Sequence, residues 1–170
     1  MSAWPVFWEP GFGVGVAERS DNGLRVQDSR TGPYVIAAGL EESVPGTVET
    51  LRGRFVNLFD PELKVRREVA STPGSRWFLR NLDRSLAGGP VLVASACKAL
   101  ALEKTPTLGR WMVEGVADTP GVVLLSLPEE PRRVTLDGKA WTDWRWDAGE
   151  RLAWIRLSNT SAPRELAIGL

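Results

Sequence analysis

Apolar and polar residues alternate with a period of two along most of this chain, which is the pattern of β-strands. Val123, Leu125 and Leu127 fall on one face of a strand that ends at a proline-flanked acidic turn. Val134 and Leu136 share a face of the next strand, and the Asp-Gly dipeptide after them is typical of a type I′ hairpin. The predicted strand segments are GLRVQD, YVIAAG, GTVETLRGRFVNLFD, LKVRREV, SRWFLRNL, PVLVASACKALALEK, GVVLLSLPEEP, RRVTLDGKAW, RLAWIRL and RELAIGL.

Short strands separated by Gly and Pro turns predict an all-β fold, an antiparallel β-sandwich of jelly-roll or immunoglobulin-like type. Gly53 predicts a bulge or a crossing within the longest segment. The one helix candidate spans 97–103, where the alternation favours a strand. The composition of DRSLAGGP is typical of a linker, which predicts two packed β units at 1–86 and 91–170; a single sandwich over 1–170 is the alternative.

The residue inventory restricts both partners and chemistry. Lys plus Arg and Asp plus Glu both number 21, so we expect neither a nucleic-acid nor a membrane partner. No apolar run reaches the ~20 residues of a membrane span, and the start MSAWPVFWEP lacks the pattern of a signal peptide. The sequence contains no histidine, which largely excludes the common Ser and Cys nucleophile systems and most zinc sites. Cys97 is the single cysteine and is predicted to be a small buried thiol.

Weak motifs add little to this picture. GFGVGVAERS superficially resembles a phosphate-binding loop, but a turn follows it, so a glycine-kinked edge strand is the better interpretation. Asn159-Thr160-Ser161 matches a glycosylation acceptor and is interpreted as an exposed turn. No cofactor is predicted, although oxygen donors leave a structural calcium open. The carboxylate pairs that could hydrolyse a glycosidic bond without histidine are Glu41 with Glu42, Glu129 with Glu130, and Asp143 with Asp147.

The stretch WTDWRWD, residues 141–147, places three tryptophans among polar residues. In a strand, Trp144 and Trp146 point to the same face about 7 Å apart, with Arg145 opposite. Two neighbouring indoles would form a platform for the apolar face of a sugar ring, while Asp143, Arg145 and Asp147 could bind hydroxyl groups. The competing interpretation, favoured for Trp144 and Trp146, is that both rings face the core.

Two further tryptophans are predicted to be exposed. Trp154 has apolar neighbours Ala153, Ile155 and Leu157 that already define the opposite face of its strand, and Trp141 lies just past the hairpin turn. A second aromatic cluster near the start of the sequence is predicted to pin an N-terminal segment onto a sheet; its members are Trp4, Phe7, Trp8 and Phe12.

The segments GVVLLSLPEEPRRVTLDGKAW, WRWD and RLAWIRLSNTSAPRELAIGL resemble the all-β accessory domains attached to large bacterial glycoside hydrolases. LRGRFVNLFDPELKV is similar to segments that precede such domains in multidomain carbohydrate-active proteins, and together these stretches cover about half of the chain. The resemblance implies a β-sandwich associated with carbohydrate-active enzymes, and it carries over no binding residue.

These observations predict a non-catalytic carbohydrate-binding module with a polysaccharide or oligosaccharide as ligand and neighbouring domains of a larger protein as partners. The alternatives are a structural domain that braces a catalytic neighbour or forms a dimer, and a glycosidase that uses carboxylates alone. The predicted ligand-binding residues are Trp141, Trp144, Trp146, Trp154, Asp143, Arg145 and Asp147.

Overall fold

A computed structural model describes residues 17–19, 24–28, 33–39, 48–84 and 88–170, and this part of the chain contains strands and no helix. No membrane-spanning helix is therefore present among these residues. The strands form three antiparallel sheets, which confirms the predicted all-β fold. Sheet A contains β1 (Ala17–Arg19), β2 (Leu24–Asp28), β3 (Tyr34–Gly39), β4 (Glu49–Asn57), β5 (Val65–Ser71) and β6 (Arg76–Asn81), in the order β1-β2-β3-β6-β4-β5.

The second half of the chain supplies the other two sheets. Sheet B contains β7 (Val91–Ser95), β10 (Pro120–Ser126), β13 (Trp144–Asp147) and β14 (Leu152–Ser158), in the order β13-β14-β10-β7. Sheet C contains β8 (Lys98–Lys104), β9 (Leu108–Glu114), β11 (Arg133–Leu136), β12 (Lys139–Ala140) and β15 (Arg164–Gly169), in the order β12-β11-β15-β9-β8.

Sheets B and C enclose the largest core, which we call the B–C core. The faces predicted from the alternation are confirmed, because every residue assigned to them is buried there. Trp111 on β9 is fully buried at its centre. The other residues of this core are Val113, Val123, Leu125, Leu127, Val134, Leu136, Ala153, Ile155, Leu157, Leu166 and Ile168.

The opposite face of sheet B is also buried, because sheet A packs against it to form a second core, the A–B core. Val122 and Leu124 of β10 contribute to it from sheet B, and Val56, Leu63 and Leu82 contribute from the first half of the chain. Sheet B therefore lies between two layers, which explains why β10 is apolar at nearly every position. Residues from both halves of the chain form this core. The division of the chain into units 1–86 and 91–170 stays a prediction.

Sheet A contains a small core of its own, formed by Val35, Phe55, Val69 and Leu79. The register between β4 and β5 shifts between Arg52 and Phe55, which confirms the bulge predicted at Gly53. Gly53 has a φ of 147°, a backbone conformation that side chains disfavour. After the bulge, Phe55 faces the small core and Val56 faces sheet B, because adjacent residues of a strand point to opposite faces.

Two local predictions are also confirmed. Asp137 and Gly138 have φ values of 53° and 74°, as a type I′ turn requires, and they join β11 to β12. Residues 98–104 form strand β8 rather than a helix.

Two local expectations need correction. Asn159 is only 4% exposed, so the interpretation as an exposed turn is wrong for this residue; its amide donates a hydrogen bond to the Thr119 hydroxyl (3.1 Å). Cys97 is half-buried rather than fully buried, and burial raises the pKa of its thiol.

Several predicted features lie outside the described residues. They are the aromatic cluster of Trp4, Phe7, Trp8 and Phe12, most of GFGVGVAERS, the pair Glu41 and Glu42, and the centre of DRSLAGGP at 85–87.

Candidate functional site

The WTDWRWD stretch forms the open edge of sheet B. Trp144 pairs with Ile155 and Trp146 pairs with Ala153, so both indoles lie on the face of sheet B that meets sheet C. Both rings pack against the B–C core and are half-buried. Because β13 is an edge strand, part of each ring remains in contact with solvent.

Trp141 continues this row of indoles. Its indole N–H donates to the main-chain carbonyl of Arg156 (2.8 Å), the residue that follows Ile155 on β14. The ring is half-buried against the same core, so the prediction that Trp141 is exposed needs correction. Trp141, Trp144 and Trp146 therefore follow one another along the edge where sheets B and C meet, and we call this surface the tryptophan edge.

Trp154 is not part of this surface, and the expectation that it is exposed is wrong. Its side chain is 3% exposed within the A–B core, and its indole N–H donates to the carbonyl of Leu63 (3.1 Å). The prediction assumed that the face opposite Ala153 and Ile155 contacts solvent. Sheet A covers that face instead.

Arg145 and Asp147 lie on the opposite face of β13 from the indoles. Arg145 pairs with Trp154 and its guanidinium stacks on that ring, while Asp147 pairs with Leu152. The Asp147 carboxylate accepts a hydrogen bond from the main-chain N–H of Glu150 (3.0 Å) and so stabilises the turn into β14. Asp143 is exposed just before the strand, and its carbonyl accepts from the N–H of Arg156 (2.9 Å). Side chains alternate along a strand, so Arg145 and Asp147 do not flank the faces of Trp144 and Trp146.

Two charged residues that the sequence did not single out lie beside the tryptophan edge. The Arg164 guanidinium is 6.0 Å from the centroid of the Trp141 ring, and its Nε donates to the Asp137 carboxylate (2.8 Å). The main-chain N–H of Glu165 donates to the other oxygen of Asp137 (2.9 Å). These bonds, led by that from Arg164, lower the pKa of Asp137. One feature of the sequence could have indicated that Asp137 belongs to the site. It lies in the predicted hairpin turn, and such a turn places its side chain near the neighbouring strand.

The geometry of β13 argues against catalysis by Asp143 and Asp147. Asp143 lies in a tight turn before β13, where the N–H of Trp144 donates to the carbonyl of Thr142 (2.9 Å), and the Asp147 carboxylate binds the next turn at the far end of the strand. The carboxyl groups of glycosidases, by contrast, face each other about 5 to 9.5 Å apart. Glu129 and Glu130 are both exposed in the turn after β10.

A charged cavity of about 390 Å³ lies where sheet A meets the β13–β14 turn, lined by Arg54, Asp83, Glu150 and Arg151 among others. Glu150 forms ion pairs with two arginines, Arg54 and Arg67, at this cavity. Its carboxylate accepts two hydrogen bonds from Arg54 (2.9 and 2.7 Å) and another from Arg67. Arg54 also donates to the main-chain carbonyl of Glu150 (2.9 Å). This network joins β4 and β5 to the turn, so we assign it to holding sheets A and B together.

Among the described residues, no three carboxylate or thiol side chains are placed to share a metal ion.

Comparisons with known proteins give little further information. No family model matches the chain, and no curated protein matches it. Among solved structures it is similar to two chains of the GH31 dextranase of Flavobacterium johnsoniae, one a mutant complexed with isomaltotriose and one complexed with glucose. The identity is 6% in both cases, with TM-scores of 0.32 and 0.31, and each match covers 85% of this chain and 26% of the dextranase chain. The chain thus spans about a quarter of the length of those chains, and likeness at this level transfers no binding residue.

Proposed function

We propose that this chain is a non-catalytic carbohydrate-binding domain that holds sugar rings at the tryptophan edge. The observation that supports this most is the row of three half-buried tryptophans along one edge of the sandwich. Indole rings offer the apolar surface that a pyranose face needs.

Polar groups for sugar hydroxyls are present at one end of this edge. Arg164 and Asp137 lie beside Trp141, and their mutual hydrogen bond fixes both side chains. Asp143 is exposed just before strand β13, and its carboxylate supplies a further acceptor. Of the seven residues predicted from the sequence, Trp141, Trp144, Trp146 and Asp143 keep a place in the proposed site. Arg145 and Trp154 lie in contact with each other, and Asp147 stabilises a turn.

Affinity electrophoresis tests this proposal. The protein is run through native gels that contain dextran, starch, xylan or galactomannan, each compared with a gel without polysaccharide. We expect retardation by at least one polysaccharide, and a weaker retardation of the Arg164→Gln variant. Arg133→Gln, a change at an exposed arginine on β11, is the matched control with the same change of charge; relative to its own migration without polysaccharide, it should be retarded as strongly as the parent protein. Unretarded migration in every gel would contradict the proposal.

A second candidate function, contact with another protein chain or domain, is favoured by a different surface. Leu100 and Leu102 are 53% and 49% exposed on β8, which is an edge strand of sheet C. Exposed apolar side chains on an open sheet edge are typical of protein interfaces. Sedimentation velocity over a range of concentrations tests self-association. A dimer that the Leu100→Lys variant dissociates would support this function, and a monomer at all concentrations would contradict the dimer.

A further inference from the structure

A cleft of about 370 Å³ opens between sheets A and B, along strand β7. Because β7 and β13 are the two outer strands of sheet B, this cleft lies at the opposite edge of the sheet from the tryptophan edge. One wall is formed by residues 92–96, and the other by Tyr34 and by the turn that carries Phe59 and Asp60. Its volume is at the lower end of the range of small-ligand sites.

Two aromatic rings at this cleft are exposed. Tyr34 is 38% exposed and Phe59 is 67% exposed. Phe78 contacts both rings, with centroid separations of 5.7 Å to Tyr34 and 6.1 Å to Phe59. The Arg80 guanidinium is 5.1 Å from the Tyr34 centroid. The two rings are therefore supported by neighbours while keeping apolar surface in solvent, an arrangement typical of binding sites.

The cleft also contains a carboxylate that is fixed in position. One oxygen of Asp60 accepts a hydrogen bond from the main-chain N–H of Glu62 (3.0 Å), and the other lies 3.7 Å from Arg66. The main-chain N–H and carbonyl of Asp60 bond to Asn57 and Leu63 in the same turn. The side chain is only 14% exposed. A carboxylate oxygen accepts more than one hydrogen bond, so Asp60 keeps acceptor capacity for a ligand hydroxyl.

The outer edge of β7 supplies main-chain groups. The N–H of Ala96 donates to Val122 (2.9 Å), and Ser95 lies opposite Val123 in the same ladder. Hydrogen-bonded and non-hydrogen-bonded pairs alternate between antiparallel strands, so the N–H and carbonyl of Ser95 point away from β10, at the open edge of a strand that lines the cleft. The cleft thus combines aromatic surface, a fixed acceptor, and a main-chain donor and acceptor.

We propose that this cleft is a second carbohydrate-binding site, which takes one or two rings of a neutral sugar. The ring faces stack on Phe59 and Tyr34, and the hydroxyl groups bind Asp60 and the main chain of Ser95. A neutral sugar fits this cleft because its hydroxyl groups can donate to the Asp60 carboxylate. The assignment of a sugar rests on the proposed function, whereas the cleft rests on its own geometry.

Isothermal titration calorimetry tests this inference with four neutral trisaccharides, maltotriose, isomaltotriose, cellotriose and xylotriose. We expect the parent protein to bind two molecules of at least one trisaccharide. Phe59→Ala should abolish binding at one of the two sites, and Asp60→Asn should weaken the same site about tenfold, because a hydrogen bond to a charged acceptor is lost. The asparagine can still accept from Glu62, so the turn is preserved.

Two matched controls keep the outcomes distinct. Leu102→Ala removes a similarly exposed apolar side chain that does not line the cleft, on the edge of sheet C, and should change neither site. Arg164→Gln should weaken only the tryptophan edge.

Binding of one trisaccharide that Arg164→Gln weakens and Phe59→Ala leaves intact would overturn the second site and leave the proposed function standing. Binding that only the Phe59 and Asp60 variants lose would support the cleft and remove the tryptophan edge as the site. Absence of any trisaccharide binding would overturn this inference, and the polysaccharide gels would then decide the proposed function separately.

Discussion

The guanidinium of Arg145 lies 3.8 Å from the centroid of the Trp154 ring. The two residues pair across β13 and β14 on the face of sheet B that meets sheet A. Arg145 covers the outer side of a ring that is otherwise enclosed by the A–B core. Both residues were predicted to contact a sugar, and the contact they make with each other removes them from the proposed site.

Trp154→Ala should lower the free energy of unfolding by about 3 to 5 kcal/mol, because it opens a cavity between sheets A and B. Arg145→Ala should cost about 1 kcal/mol, the order of an arginine–aromatic contact near the surface. Urea unfolding followed by circular dichroism measures both values. Trp154→Phe is the matched control and should cost less than Trp154→Ala, since it keeps most of the ring volume. An unchanged free energy of unfolding in Trp154→Ala would show that the ring does not lie in a core.

Glu150→Gln should destabilise the fold by about 1 to 3 kcal/mol, because it removes the charge that binds Arg54 and Arg67. The Glu150 side chain is only 14% exposed, so solvent screens this network weakly. Glu62→Gln is the matched control, since Glu62 pairs with Lys64 on the surface. Its free energy of unfolding should equal that of the parent protein. Equal urea midpoints for the two variants would contradict the role given to Glu150 in joining sheets A and B.

Gly109→Ala should destabilise the sandwich by about 2 kcal/mol or more, because a new methyl group overpacks the core. A Cβ at position 109 would lie 2.2 Å from the ring of Trp111 and 2.9 Å from Pro90. Gly88→Ala is the control, because a Cβ at position 88 has no neighbour within 4 Å. Thermal melting of the two variants distinguishes them. Similar melting temperatures would mean that Trp111 can move aside without cost.

The Arg164–Asp137 pair predicts a pH dependence of stability. Arg164 lowers the pKa of Asp137 in the folded protein below its unfolded value of about 3.9. The stabilisation is therefore complete above that unfolded value and is lost as the pH falls through the lowered folded pKa. Arg164→Gln should lose less stability than the parent protein between about pH 5 and about pH 2. Urea midpoints across this range give the comparison, and parallel curves for the two proteins would contradict a role for this pair.

Much of the fold could be predicted because its strands obey simple alternation. The face formed by Ala153, Ile155 and Leu157 is buried against sheet C as expected, and Asp137-Gly138 forms the expected hairpin. Strand β9 was not predicted. Its inward positions are Gly109, Trp111 and Val113, and the missing side chain of Gly109 breaks the apolar alternation while making room for the indole.

The site was harder to predict, because the sequence does not show how many faces of a sheet are covered. Alternation places Trp154 opposite Ala153 and Ile155, but only the packing of sheet A turns that opposite face into a core. The aromatic cleft was missed for a related reason. Tyr34, Phe59 and Asp60 come from separate strands and turns of sheet A, and they meet β7 only through the contact between sheets A and B.

Intrinsic tryptophan fluorescence during titration with the same polysaccharides tests directly whether a sugar binds at the tryptophan edge. Trp141, Trp144 and Trp146 are the half-buried indoles of the proposed site, so a bound sugar should change their emission and reduce their quenching by acrylamide. We expect a saturable spectral change with one class of polysaccharide. A flat response to every polysaccharide, in a folded protein whose tryptophans remain open to acrylamide, would contradict it.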